Sequence, residues 1–230
     1  MSVAEQLAVY WSRRAEDFDA LYSGRRNGAS RLWDQLTRRN IGDRFRFTLR
    51  AVGPVDGKRI LDVGCGSGRY CVELAASGGA EVVGVDLAPG MLNIAEQLAA
   101  QRGVRSRCKF VRTDILDYEA AEPFDDTVAM GFFDYVPEPR SVLSHLRALT
   151  CGRLVASFPC RLSVRAPFRK LWLRARGCYV RLYGRSEVEA LCVSAGFNVR
   201  TLVRRGPIYL LIAEPTRGVG AHEANGETRS

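Results

Sequence analysis

A chain of 230 residues, 47% of them hydrophobic, suits one globular domain with a sizeable core. No apolar run reaches the roughly 18 to 20 residues that cross a bilayer, and the first residues carry acids where a signal peptide would carry an apolar stretch; a soluble, cytoplasmic protein is expected. The formal net charge of +9 admits nucleic acid, an anionic membrane surface or acidic small molecules as partners without choosing among them. The seven cysteines are scattered through apolar stretches without a C-x-x-C pair, and His145 and His222 stand apart from them. That usage argues against a zinc site and a disulfide framework, so no metal is expected and the thiols read as small core residues.

In chain order, residues 3–22 place Val3, Leu7, Tyr10, Trp11, Phe18 and Leu21 at helical spacing, which predicts an amphipathic helix. More helix is expected around Leu32, Trp33 and Leu36, and again before Gly53. From Arg59 the pattern switches to short β-branched runs alternating with helical segments. RILDVG precedes a helix over 69–77 and AEVVGVD one over 90–102; CKFVRTD, DDTVAMG and GRLVASF follow as strands, with a helix near 140–149 before the last. Such alternation predicts an α/β fold: a Rossmann-like, mostly parallel sheet with helices on both faces. Ser186 and Glu189 have capping-box spacing ahead of the helical VEALCVSA, and Gly196 supplies its stop. FNVRTLV and IYLLIAEP, joined by Arg-Gly-Pro, read as an antiparallel C-terminal hairpin that completes a seven-stranded sheet. The organisation expected is an N-terminal helical lid or substrate region (1–57), a main domain (58–215) with a basic insertion at 161–185, and a polar, disordered tail (216–230).

LDVGCGSG, residues 61–68, sits between the first strand and its helix. Gly64, Gly66 and Gly68 allow a tight turn and close approach of a ligand, and the amides at the helix start point into the same crevice. Phosphate is the usual guest of such a loop, but the spacing is G-x-G-x-G rather than G-x-G-x-x-G, and Asp62 sits badly beside a pyrophosphate. Asp62 suits a ligand with positive charge. Asp86, at the end of the second strand, has the placement of an acid that accepts from ribose hydroxyls. Asp114 ends the third strand and is able to receive an adenine amino group. Three acids at three strand ends describe a cationic adenosine ligand, of which S-adenosyl-L-methionine is the common one.

The stretch from about Arg59 to Pro159, with the helix and hairpin at 186–214, resembles the class I S-adenosylmethionine-dependent methyltransferases. LDVGCGSG, VVGVD followed by LAPGML, FVRTDILD and FDDTVAMGFFDYVPEP carry the resemblance. It implies that Asp62, Gly64, Cys65 and Gly66 line the methionine part of the cofactor and that Asp86 holds the ribose. By the same likeness Leu87 and Met91 lie against adenine, Asp114 and Ile115 read its edge, and Met130 to Phe132 lie below the sulfonium. The N-terminal YWSRRAEDFDALY is similar to the family's lid helix, so Tyr10 is expected to close over the cofactor. Within the family the layout looks loosely like magnesium-protoporphyrin and ubiquinone-pathway O-methyltransferases, on the aromatic first helix, LYSG and GRLVASFP.

Where many relatives have a histidine after the fourth strand, this chain has Asp134 and Tyr135. Either is a candidate to orient or deprotonate an acceptor hydroxyl, although transfer from a sulfonium needs mainly alignment. Residues 161–185 hold eight basic residues and no acid. They suit a basic amphipathic helix on an anionic membrane, a pocket roof whose arginines meet a carboxylate or phosphate, or a solvated face. The expected function is methylation of a small or lipophilic molecule, on oxygen. An RNA methyltransferase is the first alternative; nucleic acid is disfavoured because no RNA-binding module and no N-P-P-Y-like pattern accompany the charge. A non-catalytic methyltransferase-like binding protein is the second, at odds with the intact acids and glycines. A nicotinamide-dependent dehydrogenase is third, disfavoured by Asp62 and the glycine spacing.

Overall fold

The computed structural model describes residues 3–16, 19, 31–78, 81–163 and 178–216, with the backbone alone over 31–41. Two helices, α1 (Val3–Ser12) and α2 (Arg31–Val52), precede the sheet. Then follow β1 (Arg59–Val63), α3 (Arg69–Ala76), β2 (Glu81–Asp86), α4 (Pro89–Gln101), β3 (Cys108–Arg112) and β4 (Phe124–Ala129). The chain continues through α5 (Pro139–Leu149), β5 (Thr150–Pro159), α6 (Arg185–Ser194), β6 (Phe197–Arg205) and β7 (Ile208–Pro215). Among these strands the sheet order is β3-β2-β1-β4-β5-β7-β6. β1 to β5 pair in parallel, while β7 runs antiparallel between β5 and β6. The seven-stranded, mostly parallel sheet with its antiparallel hairpin is the one expected.

The alternation of side chains along each strand builds two cores. Leu61, Val83, Leu154 and Leu211 point to one face, where they pack with Leu143 and Leu146 of α5 and Val188 and Cys192 of α6. Their neighbours Ile60, Val82, Val155 and Leu210 point to the other, against Val52 of α2, Leu74 of α3 and Ala99 of α4. Strands buried on both faces read as continuous apolar runs, which is why RILDV and EVVGV stand out in the sequence. Reversal of strand order about β1 leaves a crevice beyond the carboxyl ends of β1, β2 and β4, the place where such sheets take ligands.

Three local expectations are revised. The first helix stops at Ser12, and a turn at Arg13 and Arg14 follows it. The helical signals around Leu32 and before Gly53 belong to one continuous 22-residue helix. The cap of α6 lies two residues upstream of Ser186 and Glu189: Glu187 Oε2 accepts the Gly184 amide at 3.2 Å. Glu189 pairs instead with Arg185 one turn away, at 3.1 Å. Gly196 does end α6, at φ +82. Of the basic insertion, residues 164–177 lie outside the described residues, as do 217–230 of the tail. Among the described residues no helix is long and apolar enough to cross a membrane, no cluster could hold a metal ion, and all seven cysteines are free.

Candidate cofactor and acceptor site

The glycine loop is sewn to the end of β2. Val85 O accepts the amides of Gly64 at 2.8 Å and Cys65 at 3.1 Å, and Asp86 Oδ2 accepts that of Gly66 at 2.9 Å. The other oxygen of Asp86 accepts the Ala88 amide at 2.8 Å. All three glycines have left-handed φ, +66, +54 and +73, but they serve different neighbours. A Cβ on Gly64 would stand 2.7 Å from the ring of Phe132, and one on Gly68 would stand 2.6 Å from the Cβ of Ala95. These two are empty so that the loop packs against the segment after β4 and against α4. Among the described residues a Cβ on Gly66 would meet only Met91 Sδ, at 4.0 Å. Gly66 is the glycine that faces open space.

Asp62 is 1% exposed. Its donors among the described residues come from Cys71 alone, the thiol at 3.2 Å and the backbone amide. Burial pushes its pKa up to about 7, opposed by the Cys71 thiol and reinforced by Asp86. Cys65, buried beside Cys71, has its thiol pushed up to about 11 although the contact with Cys71 pulls the other way. Asp86 is also raised by burial, against the pull of the amides it accepts. Two carboxylates with spare oxygen lone pairs thus flank the open glycine, in a setting that disfavours their charge. A cation with hydrogen-bond donors is what such a setting lacks.

The remaining expected residues fall around the same crevice. Leu87 is half-buried just past β2, and Met91, in the first turn of α4, packs with Ala88 and Ala15. Asp114 Oδ1 accepts the Leu116 amide at 3.1 Å and so caps a short 3-10 turn that carries the buried Ile115. Met130 directly follows β4 and is buried. Asp134 and Tyr135 lie on a one-turn 3-10 helix, Phe133–Tyr135, with Asp134 buried. Tyr135 meets Trp11 edge-on at 5.3 Å.

α1 bridges the two sides of this crevice. Trp11 and Ala15 pack on Ala88, Met91 and Ile94, and the Ser12 carbonyl would be 2.8 Å from a Cβ on Gly90. On the other side Leu7 and Tyr10 pack with Cys178, Val180, Tyr135 and Leu182. An ion pair from Asp19 to Arg69, the first residue of α3, ties the same N-terminal region to the glycine loop at 2.7 Å.

Sequence reasoning passed over Arg44. Its guanidinium comes within 3.3 Å of where a Cβ of Gly131 would stand, which puts it over the carboxyl end of β4 beside Phe132 and Gly64. Unlike that of Arg46, which pairs with Asp43 at 2.6 Å, its guanidinium has no hydrogen-bond or ion-pair partner among the described residues. A signal existed: positions 40, 41, 47 and 48, one turn away on either side, are Asn, Ile, Phe and Thr, so no acid shares its face.

A doubly wound sheet with a glycine loop at its switch point and buried acids near the ends of β1 and β2 defines a nucleoside-cofactor protein of the α/β class. Residues 60–151 match the family described as "Methyltransferase domain". The ubiquinone biosynthesis O-methyltransferase of Azorhizobium caulinodans is 30% identical over 185 residues, 76% of this chain and 70% of that protein. The protein of the same name from Bordetella avium is 36% identical over 106 residues, 46% of this chain and 44% of the relative. The chain thus spans less than half the length of several of the curated relatives it matches. The structure of a magnesium protoporphyrin IX methyltransferase from Synechocystis PCC 6803, with bound S-adenosylmethionine, superposes with a TM-score of 0.75 at 18% identity, covering 94% of this chain and 98% of that one. The chain belongs to the class I S-adenosylmethionine-dependent methyltransferases.

Proposed function

We propose that this chain transfers the methyl group of S-adenosyl-L-methionine to an oxygen atom of a small, lipophilic acceptor. The observation that carries the reading is the convergence of Gly66, Asp62, Asp86 and Arg44 on one crevice, with charges that complement each part of that cofactor. Asp62 lies on the side suited to the ammonium and sulfonium, and Arg44 offers a planar fork to the carboxylate. Asp86 has lone pairs left for two ribose hydroxyls. Leu87 and Met91 supply apolar surface for adenine, with Asp114 and Ile115 at its edge and Met130 beneath the sulfonium. Tyr10 and Trp11, on the helix that bridges the crevice, serve as a lid that excludes water. When bound, the cofactor supplies an electrophilic methyl group; the residues of this chain align the acceptor oxygen in line with it. Asp134 or Tyr135 holds the acceptor hydroxyl, and alignment contributes more than proton removal. The names of the relatives, O-methyltransferases of ubiquinone biosynthesis, support oxygen as the acceptor atom and a lipophilic small molecule as substrate. A cytoplasmic location fits the seven free cysteines.

Calorimetry with S-adenosylmethionine and its demethylated product, beside NAD, tests the cofactor, and transfer of labelled methyl to alkyl-substituted phenols and carboxylic acids tests the acceptor. Micromolar binding of the first two and none of NAD is expected. Asp86→Ala should weaken binding by roughly 1.5 to 3 kcal/mol through loss of charge-assisted hydrogen bonds. Arg44→Ala should cost a similar amount, about 1.5 to 3 kcal/mol, for the product as for the cofactor, because both carry the carboxylate. Wild-type affinity in either variant removes that residue from the site.

The basic segment supports peripheral contact with an anionic membrane as part of this reading. Replacing Arg165, Arg169, Lys170 and Arg174 together by alanine should then abolish sedimentation with anionic vesicles at low salt, at about 1 kcal/mol per charge. Wild-type binding should itself fade as the Debye length falls from about 30 Å to 10 Å. Absence of vesicle binding at every salt concentration removes the membrane from the proposal, and competition by RNA in the same assay would favour a nucleic-acid partner instead.

A further inference from the structure

The turn that carries Asp134 and Tyr135 cannot hold its own shape. It is three residues long, and among the described residues the backbone hydrogen bond within it runs from the Tyr135 amide to Phe132 O at 3.1 Å. A single 3-10 turn has poor hydrogen-bond geometry and persists only where its surroundings fix it. Trp11 packs on its Tyr135 ring, and its backbone carbonyls are met by a chain segment some fifty residues away. Tyr183 Oη donates to Phe133 O at 3.0 Å, the Arg181 amide donates to Asp134 O at 2.9 Å, and Arg181 Nη1 donates to Pro137 O at 2.7 Å. Two carbonyls of the turn and one just beyond it are therefore held by two residues of one strand-like segment.

That segment is itself anchored. Tyr183 is fully buried, with its amide on Pro159 O at 2.8 Å and its carbonyl accepting the Arg161 amide at 2.9 Å. The guanidinium of Arg181 lies over the Tyr183 ring, 5.3 Å from its centroid. Its second nitrogen, Nη2, reaches Glu187 Oε1 at 3.1 Å. Glu187 also accepts from Arg161 at 2.8 Å and from the Gly184 amide at the start of α6. Glu187 fixes the direction of the Arg181 fork, and the fork fixes Pro137, which lies between the turn and the start of α5 at Pro139.

We propose that Arg181 is a positioning residue for the acceptor turn: oriented by Glu187, it sets the backbone of residues 133–137 and through it the Asp134 and Tyr135 side chains, without itself touching cofactor or acceptor. The proposal rests on the reading of that turn as the acceptor side of the site. Its chemistry is specific to arginine. One nitrogen satisfies a carbonyl while another satisfies a carboxylate in the same plane, and a lysine ammonium has no such fork. Because a misplacement of about 1 Å near the reacting atoms costs on the order of 100-fold in rate, the bracing should act on turnover and leave cofactor affinity alone.

Hydrogen exchange on the full chain tests this, with S-adenosylhomocysteine affinity measured beside it. In Arg181→Met, which keeps a long apolar stem and loses the side-chain donors, the amides of 132–136 should exchange at least tenfold faster. Those of β1 and β2 should keep their rates, and product affinity should stay within twofold of wild type. Arg181→Lys, with its donors on a single nitrogen, should fall between. Should Arg181→Met unfold globally, seen as faster exchange in β1 and β5, Glu187→Gln takes its place; it keeps the shape and should speed the same amides about threefold. Unchanged exchange over 132–136 in the folded variant overturns the proposal, and so does acceleration spread evenly over the sheet. For whichever phenol or carboxylic acid the wild type methylates, Arg181→Met should lower kcat at least tenfold with the cofactor KM unchanged; equal loss in cofactor KM overturns it. If the wild type methylates none of them, the acceptor reading fails while the exchange result still decides the role of Arg181.

Discussion

Gly66→Val should lose S-adenosylmethionine by more than 100-fold while keeping its fold, and Gly68→Val, two residues on, should fail to fold at all. The contrast comes from what stands beside each position. At Gly66 a side chain would enter open space bounded by Met91 Sδ at 4.0 Å, so within the protein it meets no clash. Its cost to stability is that of a β-branched residue at φ +54, about 1 to 3 kcal/mol. That is a lowered melting temperature, not an unfolded protein. The ligand, if it lies on this stretch of backbone, has nowhere to retreat. At Gly68 the added Cβ would stand 2.6 Å from the Cβ and 3.1 Å from the Cα of Ala95. α4 would have to move bodily, and overpacking of this kind costs roughly 1 to 3 kcal/mol on top of the left-handed strain at φ +73. The sum approaches the whole stability of a typical domain, about 5 kcal/mol at the low end. Circular dichroism, thermal melting and calorimetry on the two variants separate the effects. A folded Gly66→Val that binds the cofactor normally would show that the open side of the loop faces no ligand.

The sequence carries the fold to the extent that its elements are locally determined. β1 and β2 announce themselves as uninterrupted apolar runs because both their faces are covered, and Asp62, Asp86 and Gly64 to Gly68 gather at one edge once a parallel sheet is assumed. The individual tasks of the glycines are not legible there, since Ala95 and Phe132 reach the loop only through tertiary packing. The cap of α6 was misplaced for a related reason. Ser186 and Glu189 have the right spacing, but Glu187 is drawn to Gly184 by its simultaneous pairing with Arg161 and Arg181, which come from elsewhere in the chain. Arg181 illustrates the same limit: in a chain with 34 basic residues nothing local marks it as placed under a turn, and Arg44 carries only the faint sign of an acid-free helix face.

Asp62→Asn should raise the melting temperature of the cofactor-free protein at pH 8 and abolish most of its cofactor affinity. In the folded protein burial raises the Asp62 pKa to about 7, from 3.8. A folded-state pKa above the unfolded one means that the folded chain holds the proton more tightly. The stability linked to it is fully present below about pH 4 and is lost as pH rises through about pH 7. At 1.36 kcal/mol per unit the loss amounts to as much as about 4 kcal/mol. Asparagine has the same shape and nothing to ionise, so its stability should not fall over this range, and the gap between variant and wild type should widen from pH 5 to pH 8. Asp86, raised in the same direction, is common to both proteins and cancels in the difference. Cys71 and Cys65, the other titratable groups against Asp62, are held as neutral thiols across that range. Binding works the opposite way. A cationic cofactor attracts the ionised form, so wild-type affinity should climb toward pH 7 and level off above it, with uptake of cofactor releasing a proton at pH 6. Asparagine should show neither the slope nor the proton release, which calorimetry in two buffers of different ionisation enthalpy measures directly. Parallel loss of stability in both proteins between pH 5 and pH 8 would mean that Asp62 is ionised throughout, and the acid that opposes folding of the empty protein would have to be sought elsewhere.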